Sequence, residues 1–127
     1  MTSLRESVII FIGALFGGLS RYLFGLLFPT LYGLSIDTLI INYLGTFLLV
    51  FCIKGYLSRK GLSSAWQLAL GTGFCGSFTT FSSAMLDLFK FVETGRYLVF
   101  FCYSVLLVFG GLGVAYLSYY LLEKLEK

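Results

Sequence analysis

Histidine is absent from this chain, proline occurs once, and charged side chains make up only 12% of its 127 residues. Each shortage excludes something. Without histidine no Ser-His-Asp or Cys-His pairing can form, and no carboxylate falls in the middle of an apolar run, so an enzyme is not expected. A soluble domain carries about 25% charged residues to cover itself, whereas this chain is 58% hydrophobic, with a mean hydropathy of +0.93. Its three cysteines, Cys52, Cys75 and Cys102, fall in three different apolar segments. An odd set without metal-ligand spacing is neither a disulfide framework nor a zinc site, and these read as small core hydrophobes. The net charge of +3 reflects the sidedness of Lys and Arg in a membrane, so no nucleic-acid partner is expected.

What is present is uncharged length. A bilayer core about 30 Å thick needs roughly 20 apolar residues per helix, and four segments approach or exceed that: residues 8–28, 38–56, 65–86 and 97–122. Only Arg21 interrupts the first, Lys54 stands near the end of the second, and the last two are free of charge. So few segments cannot close a barrel, and backbone groups in lipid must pair internally. The expected fold is therefore an all-α integral membrane protein of four transmembrane helices, forming one domain over residues 1–127 without linker or internal repeat. The apolar run after Arg5 is too long for a secretory signal and shows no small-residue cleavage site.

Basic residues in the connections set the orientation. Arg5, Lys54, Arg59, Lys60, Lys124 and Lys127 fall on the side shared by the termini and the second loop, against Lys90 and Arg96 opposite. Both termini are expected in the cytoplasm, in the inner (cytoplasmic) membrane.

Function is sought where polar groups enter the spans, because burial in hydrocarbon is costly. Arg21, in Gly17-Gly18-Leu19-Ser20-Arg21-Tyr22, reads either as a snorkelling anchor or as a cation at an aqueous vestibule that concentrates anions. The nearby Gly13-x-x-x-Gly17 spacing suits close helix packing. Asn42, in Ile41-Asn42-Tyr43-Leu44-Gly45-Thr46-Phe47, could glue helices through its amide. The third span holds Gly71-Thr72-Gly73-Phe74-Cys75-Gly76-Ser77-Phe78-Thr79-Thr80-Phe81-Ser82-Ser83-Ala84, glycines followed by hydroxyls, poor sequence for a continuous helix. A break near residues 76–79 would free carbonyls for a cation and a half-helix N-terminus for an anion. Hydroxyls bonding back to the preceding turn would merely bend it.

The Gly17–Tyr22, Asn42–Phe47 and Gly73–Ser82 motifs, in this order along a chain of this length, resemble the Fluc (CrcB) fluoride channels. The resemblance implies an antiparallel two-subunit channel with two pores lined by both subunits, passive fluoride export and fluoride resistance. By motif, Asn42 would be a pore amide, Phe81 a ring edge facing the anion, and Ser82 and Ser83 hydroxyls of a polar track. Gly76 and Thr79 would offer backbone carbonyls to a structural sodium ion at the dimer interface. Arg21 would lie near the vestibule, Asp87 would stand where a glutamate is usual, and Tyr103 would face the pore.

Two departures from that pattern stand out: Ala84 where a second phenylalanine is usual, and Leu107 where a serine is. Both strip anion-facing groups. Together with the charge bias they suggest a heterodimer with a related, oppositely oriented subunit, the alternative being a homodimer with a tolerant pore. Two rival functions are weighed as well. A small proton-coupled multidrug exporter would need a membrane carboxylate, and Asp37, Asp87 and Glu93 sit at span ends or in a loop. A non-conducting membrane assembly subunit would be indifferent to loss of Asn42 or Phe81.

Overall fold

In the computed structural model, which describes residues 3–28, 30 and 33–127, the described residues are nearly all helical. Helix α1 spans Leu4–Leu27. It begins with a capping box: the Ser3 hydroxyl accepts from the Glu6 amide at 3.3 Å, and the Glu6 carboxylate accepts from the Ser3 amide at 2.8 Å. These satisfy donors that a helix start leaves orphaned. Helix α2 spans Ile36–Leu57, its second half wound with wider i→i+5 turns. Helix α3 covers residues 64–78, and its first turn is capped by the Ser63 hydroxyl. Helix α4 spans Ser82–Glu93, and α5 spans Tyr97–Leu125.

Three of these helices, α1, α2 and α5, are long and apolar enough to cross a membrane. Their outward faces carry exposed side chains such as Phe11, Phe16, Leu23, Phe101, Phe109 and Leu112. Apolar surface of that extent suits lipid rather than water.

Between α3 and α4 the backbone leaves the helical region. Thr79 is extended, with φ −76° and ψ 160°, and helical geometry is regained around Phe81. The interruption falls after the glycine-rich stretch, not within it. Gly71 and Gly73 are buried and helical, because their lack of side chains serves packing. A Cβ on Gly73 would collide with the Ile10 carbonyl, one on Gly13 with the Ala69 carbonyl, and one on Gly17 with the Phe74 carbonyl. Helices α1 and α3 therefore touch backbone to backbone, as small residues allow in membranes. The Ser77 hydroxyl ties them further, donating to the Ala14 carbonyl at 2.7 Å. Phe78, at the end of α3, is buried with the Phe24 ring edge-on to it at 6.0 Å.

Helix α5 leans on α2, with Tyr43 donating to the Leu106 carbonyl and Leu122 filling the space left by Gly55. A small core of Leu88, Phe91 and Tyr103 joins α4 to α5. The cysteines are less uniform than expected. Cys75 is buried and Cys52 partly so, but Cys102 is exposed. Tyr103 occupies the inward face of α5, and the preceding residue is turned about 100° away from it on a 3.6-residue helix.

Candidate functional site

The interruption between α3 and α4 is held by one side chain. Asn42, on α2, donates through Nδ2 to the Thr80 carbonyl at 3.0 Å and accepts through Oδ1 from the Thr80 amide at 2.8 Å. A carboxamide carries a donor and an acceptor side by side, so it pairs with an extended peptide much as a neighbouring strand would. The chain can leave helical geometry here because Asn42 replaces the hydrogen bonds that Thr80 gives up.

That replacement frees two carbonyls. In a continuous helix the Thr80 amide would bond the Gly76 carbonyl and the Ser83 amide would bond the Thr79 carbonyl. Here the Thr80 amide goes to Asn42, and the Ser83 amide goes to the Thr80 hydroxyl at 3.2 Å. Gly76 and Thr79 both line an open cleft of about 460 Å³, together with Asn42 and Phe81. Thr79 keeps its own hydroxyl occupied on the Cys75 carbonyl at 2.9 Å. Phe81 stands 76% exposed at the start of α4. Ala84 and Leu107 also face this cleft, so the two departures noted in the sequence make it more apolar.

A second groove, of about 380 Å³, runs on the other side of the interruption and is lined by Arg21, Asp37, Thr38 and Ser83. Thr80 borders both spaces. The residues singled out in the sequence thus divide: Asn42, Gly76, Thr79 and Phe81 around the cleft, Arg21 and Ser83 around the groove. Ser82 is exposed, its hydroxyl 3.5 Å from that of Thr80.

Tyr103 borders neither space. It is 1% exposed, and its hydroxyl lies 3.2 Å from a carboxylate oxygen of Asp87 and 3.4 Å from the Ser35 carbonyl. The Ser35 hydroxyl donates to the other Asp87 oxygen at 3.0 Å. Ser35, Asp87 and Tyr103 form a polar knot that ties the start of α2 to α4 and α5.

Thr80 escaped the sequence reading, although it is the pivot of the site. Its hydroxyl caps α4 by accepting from the third amide after it, the usual service of Thr at a helix start. A threonine just ahead of a new apolar helix carried that signal.

Residues 8–119 match the family described as CrcB-like protein, Camphor Resistance (CrcB). Among similar proteins, one from Streptococcus pneumoniae named fluoride-specific ion channel FluC 2 is 51% identical over 107 residues, 84% of this chain and 86% of its own length. The fluoride-specific ion channel FluC of Methanococcus maripaludis is 41% identical over 115 residues, covering 91% and 93% of the two chains. A FluC 1 from Latilactobacillus sakei is 37% identical over 122 residues, covering 96% and 90%.

Proposed function

This chain belongs to the CrcB family and is a membrane-spanning fluoride channel subunit, and from that premise we propose that it forms one half of an antiparallel, two-subunit, two-pore channel. It is not an enzyme. Helices α3 and α4 together make the third of four crossings, interrupted partway through the bilayer where Asn42 holds Thr80. Both termini face the cytoplasm of the inner membrane, following the excess of Lys and Arg on that side, and export is passive.

The observation that carries this reading is the pair of hydrogen bonds between Asn42 and the Thr80 peptide. They open the backbone where irregular geometry is tolerable in a membrane only if protein or water covers it. They also leave the second amide hydrogen of Asn42 available beside the cleft, since a carboxamide has two. Fluoride is small and strongly hydrated, so a pore must replace water with donors. That amide hydrogen and the hydroxyls of Ser82 and Ser83 are such donors. The Phe81 ring offers its positive edge without a fixed charge that would trap the ion. Binding has to be firm enough to admit the anion and loose enough to release it.

An open cleft of about 460 Å³ cannot by itself surround so small an ion, so each pore needs the surface of a second subunit across it. Gly76 and Thr79, with carbonyls whose usual amide partners are diverted, fit a sodium ion shared with the equivalent residues of that subunit. Carbonyl oxygens are suitable hard ligands, and the bound cation would supply a positive potential at the centre without being transported.

The partner we favour is a related chain rather than a second copy. Ala84 and Leu107 face the cleft where anion-contacting groups are expected, and two of the relatives carry the names FluC 1 and FluC 2. The decisive measurement is fluoride efflux from liposomes, read with a fluoride electrode, for this chain alone and with a paralogue. Efflux only from the mixture is expected. Robust efflux by this chain alone overturns the pairing, and no efflux from either preparation overturns the channel assembly.

A further inference from the structure

Resting on the channel reading, we infer that Asp37 opposes Arg21 in the second groove and sets the fluoride concentration at which the channel half-saturates. Asp37 lies in the first turn of α2, and its Oδ2 stands 3.5 Å from where a Cβ on Gly25 would be. Gly25 follows Arg21 by one turn on the same face of α1, so carboxylate and guanidinium occupy neighbouring levels of one helix face. Both line the groove with Thr38 and Ser83. They are not an ion pair: among the described residues the salt bridge is Arg59 with Glu126.

Two opposite charges in one mouth, unjoined, act on an approaching anion separately. Arg21 raises the local anion concentration and Asp37 lowers it. The groove continues to Thr80, which also borders the Asn42–Phe81 cleft, so the potential in this mouth governs how often an ion reaches the pore. It does not govern how fast an ion already inside moves on. A unit charge roughly 8 Å away in an aqueous mouth changes the local anion concentration by about twofold at low salt. The plainer role for Asp37, complementing the N-terminus of α2, predicts a change in thermal stability and no change in the approach of the anion.

The test uses the channel purified with whatever subunit copurifies, reconstituted in neutral-lipid vesicles at pH 7, with fluoride flux measured against fluoride concentration. Asp37→Asn is expected to lower the half-saturating concentration about twofold at low ionic strength, leave the saturating flux unchanged, and lose its effect at about 0.5 M salt. Arg21→Gln should shift half-saturation the other way, and Asp37→Glu should match the wild type. Should Asp37→Asn misfold, Asp37→Ser gives the same reading. An unchanged half-saturation in Asp37→Asn, or a change confined to saturating flux, overturns the assignment. A wild-type channel without fluoride flux overturns instead the reading on which it rests.

Discussion

Asp87 and Tyr103 are sealed against each other, 8% and 1% exposed, with the tyrosine hydroxyl 3.2 Å from a carboxylate oxygen. Ser35 supplies the carboxylate's other hydrogen bond, so the knot joins three helices through groups that have little water to fall back on. A buried polar group stripped of its partner costs about 1–3 kcal/mol. Tyr103→Phe should therefore lower thermal stability in detergent by about 1 kcal/mol, and Asp87→Ala by about 2 kcal/mol. The double variant should lose less than the sum, because removing both partners leaves fewer groups unpaired. Strict additivity would mean that the two do not act as a unit.

Asn42 works through geometry that no smaller side chain reproduces. Asn42→Ala leaves both the amide and the carbonyl of Thr80 without their partner, a loss of about 2 kcal/mol or more. Asn42→Asp can still accept from the Thr80 amide but has no hydrogen for its carbonyl. Both variants should abolish fluoride flux, with the aspartate also placing a negative charge beside the cleft. Wild-type efflux from Asn42→Ala, with the protein folded by circular dichroism, would remove Asn42 from the pore.

The glycines of α1 divide sharply by what faces them. A methyl group on Gly17 would strike the Phe74 carbonyl and the Ser77 hydroxyl, while one on Gly18 meets nothing within 4 Å. Gly17→Ala should force α1 from α3 and weaken the Ser77 to Ala14 hydrogen bond, costing about 1–3 kcal/mol as overpacking does. Gly18→Ala should be neutral or slightly stabilising, since alanine is the better helix former. Thermal melts of the purified variants separate the two positions, and equal melting temperatures would contradict the close approach.

The sequence made the long apolar helices α1, α2 and α5 legible, because uncharged length is a property of the chain itself. It also showed that residues 71–84 hold something other than ordinary helix. What it could not carry is direction. Gly71 and Gly73 read as weak points but are buried helical contacts, a distinction that depends on what approaches them. Asn42 was open to two readings, glue or pore amide; its partner, the Thr80 peptide, is 38 residues away, and nothing local names it. Tyr103 was expected to face the pore, yet it is buried against Asp87, 16 residues earlier, because the rotation of α5 on its neighbours is decided by packing. Thr80 was missed because its importance lies in what its backbone gives up rather than in its side-chain type.

Thr80 also offers a way to separate the cap from the clamp. Its hydroxyl accepts from the Ser83 amide at 3.2 Å, while its peptide is held by Asn42. Thr80→Val keeps the shape and the clamp but removes the cap, costing about 1 kcal/mol. Thr80→Ser keeps all three. The freed Ser83 amide would then turn to the Thr79 carbonyl, the helical partner it lacks here. If that carbonyl helps to hold a cation, Thr80→Val should need more sodium than Thr80→Ser to reach the same thermal stability. The measurement is melting temperature against sodium concentration, with choline chloride keeping ionic strength constant. Parallel curves for the two variants would mean that the cap has no bearing on the carbonyl, and a flat response in the wild type would remove sodium from this site.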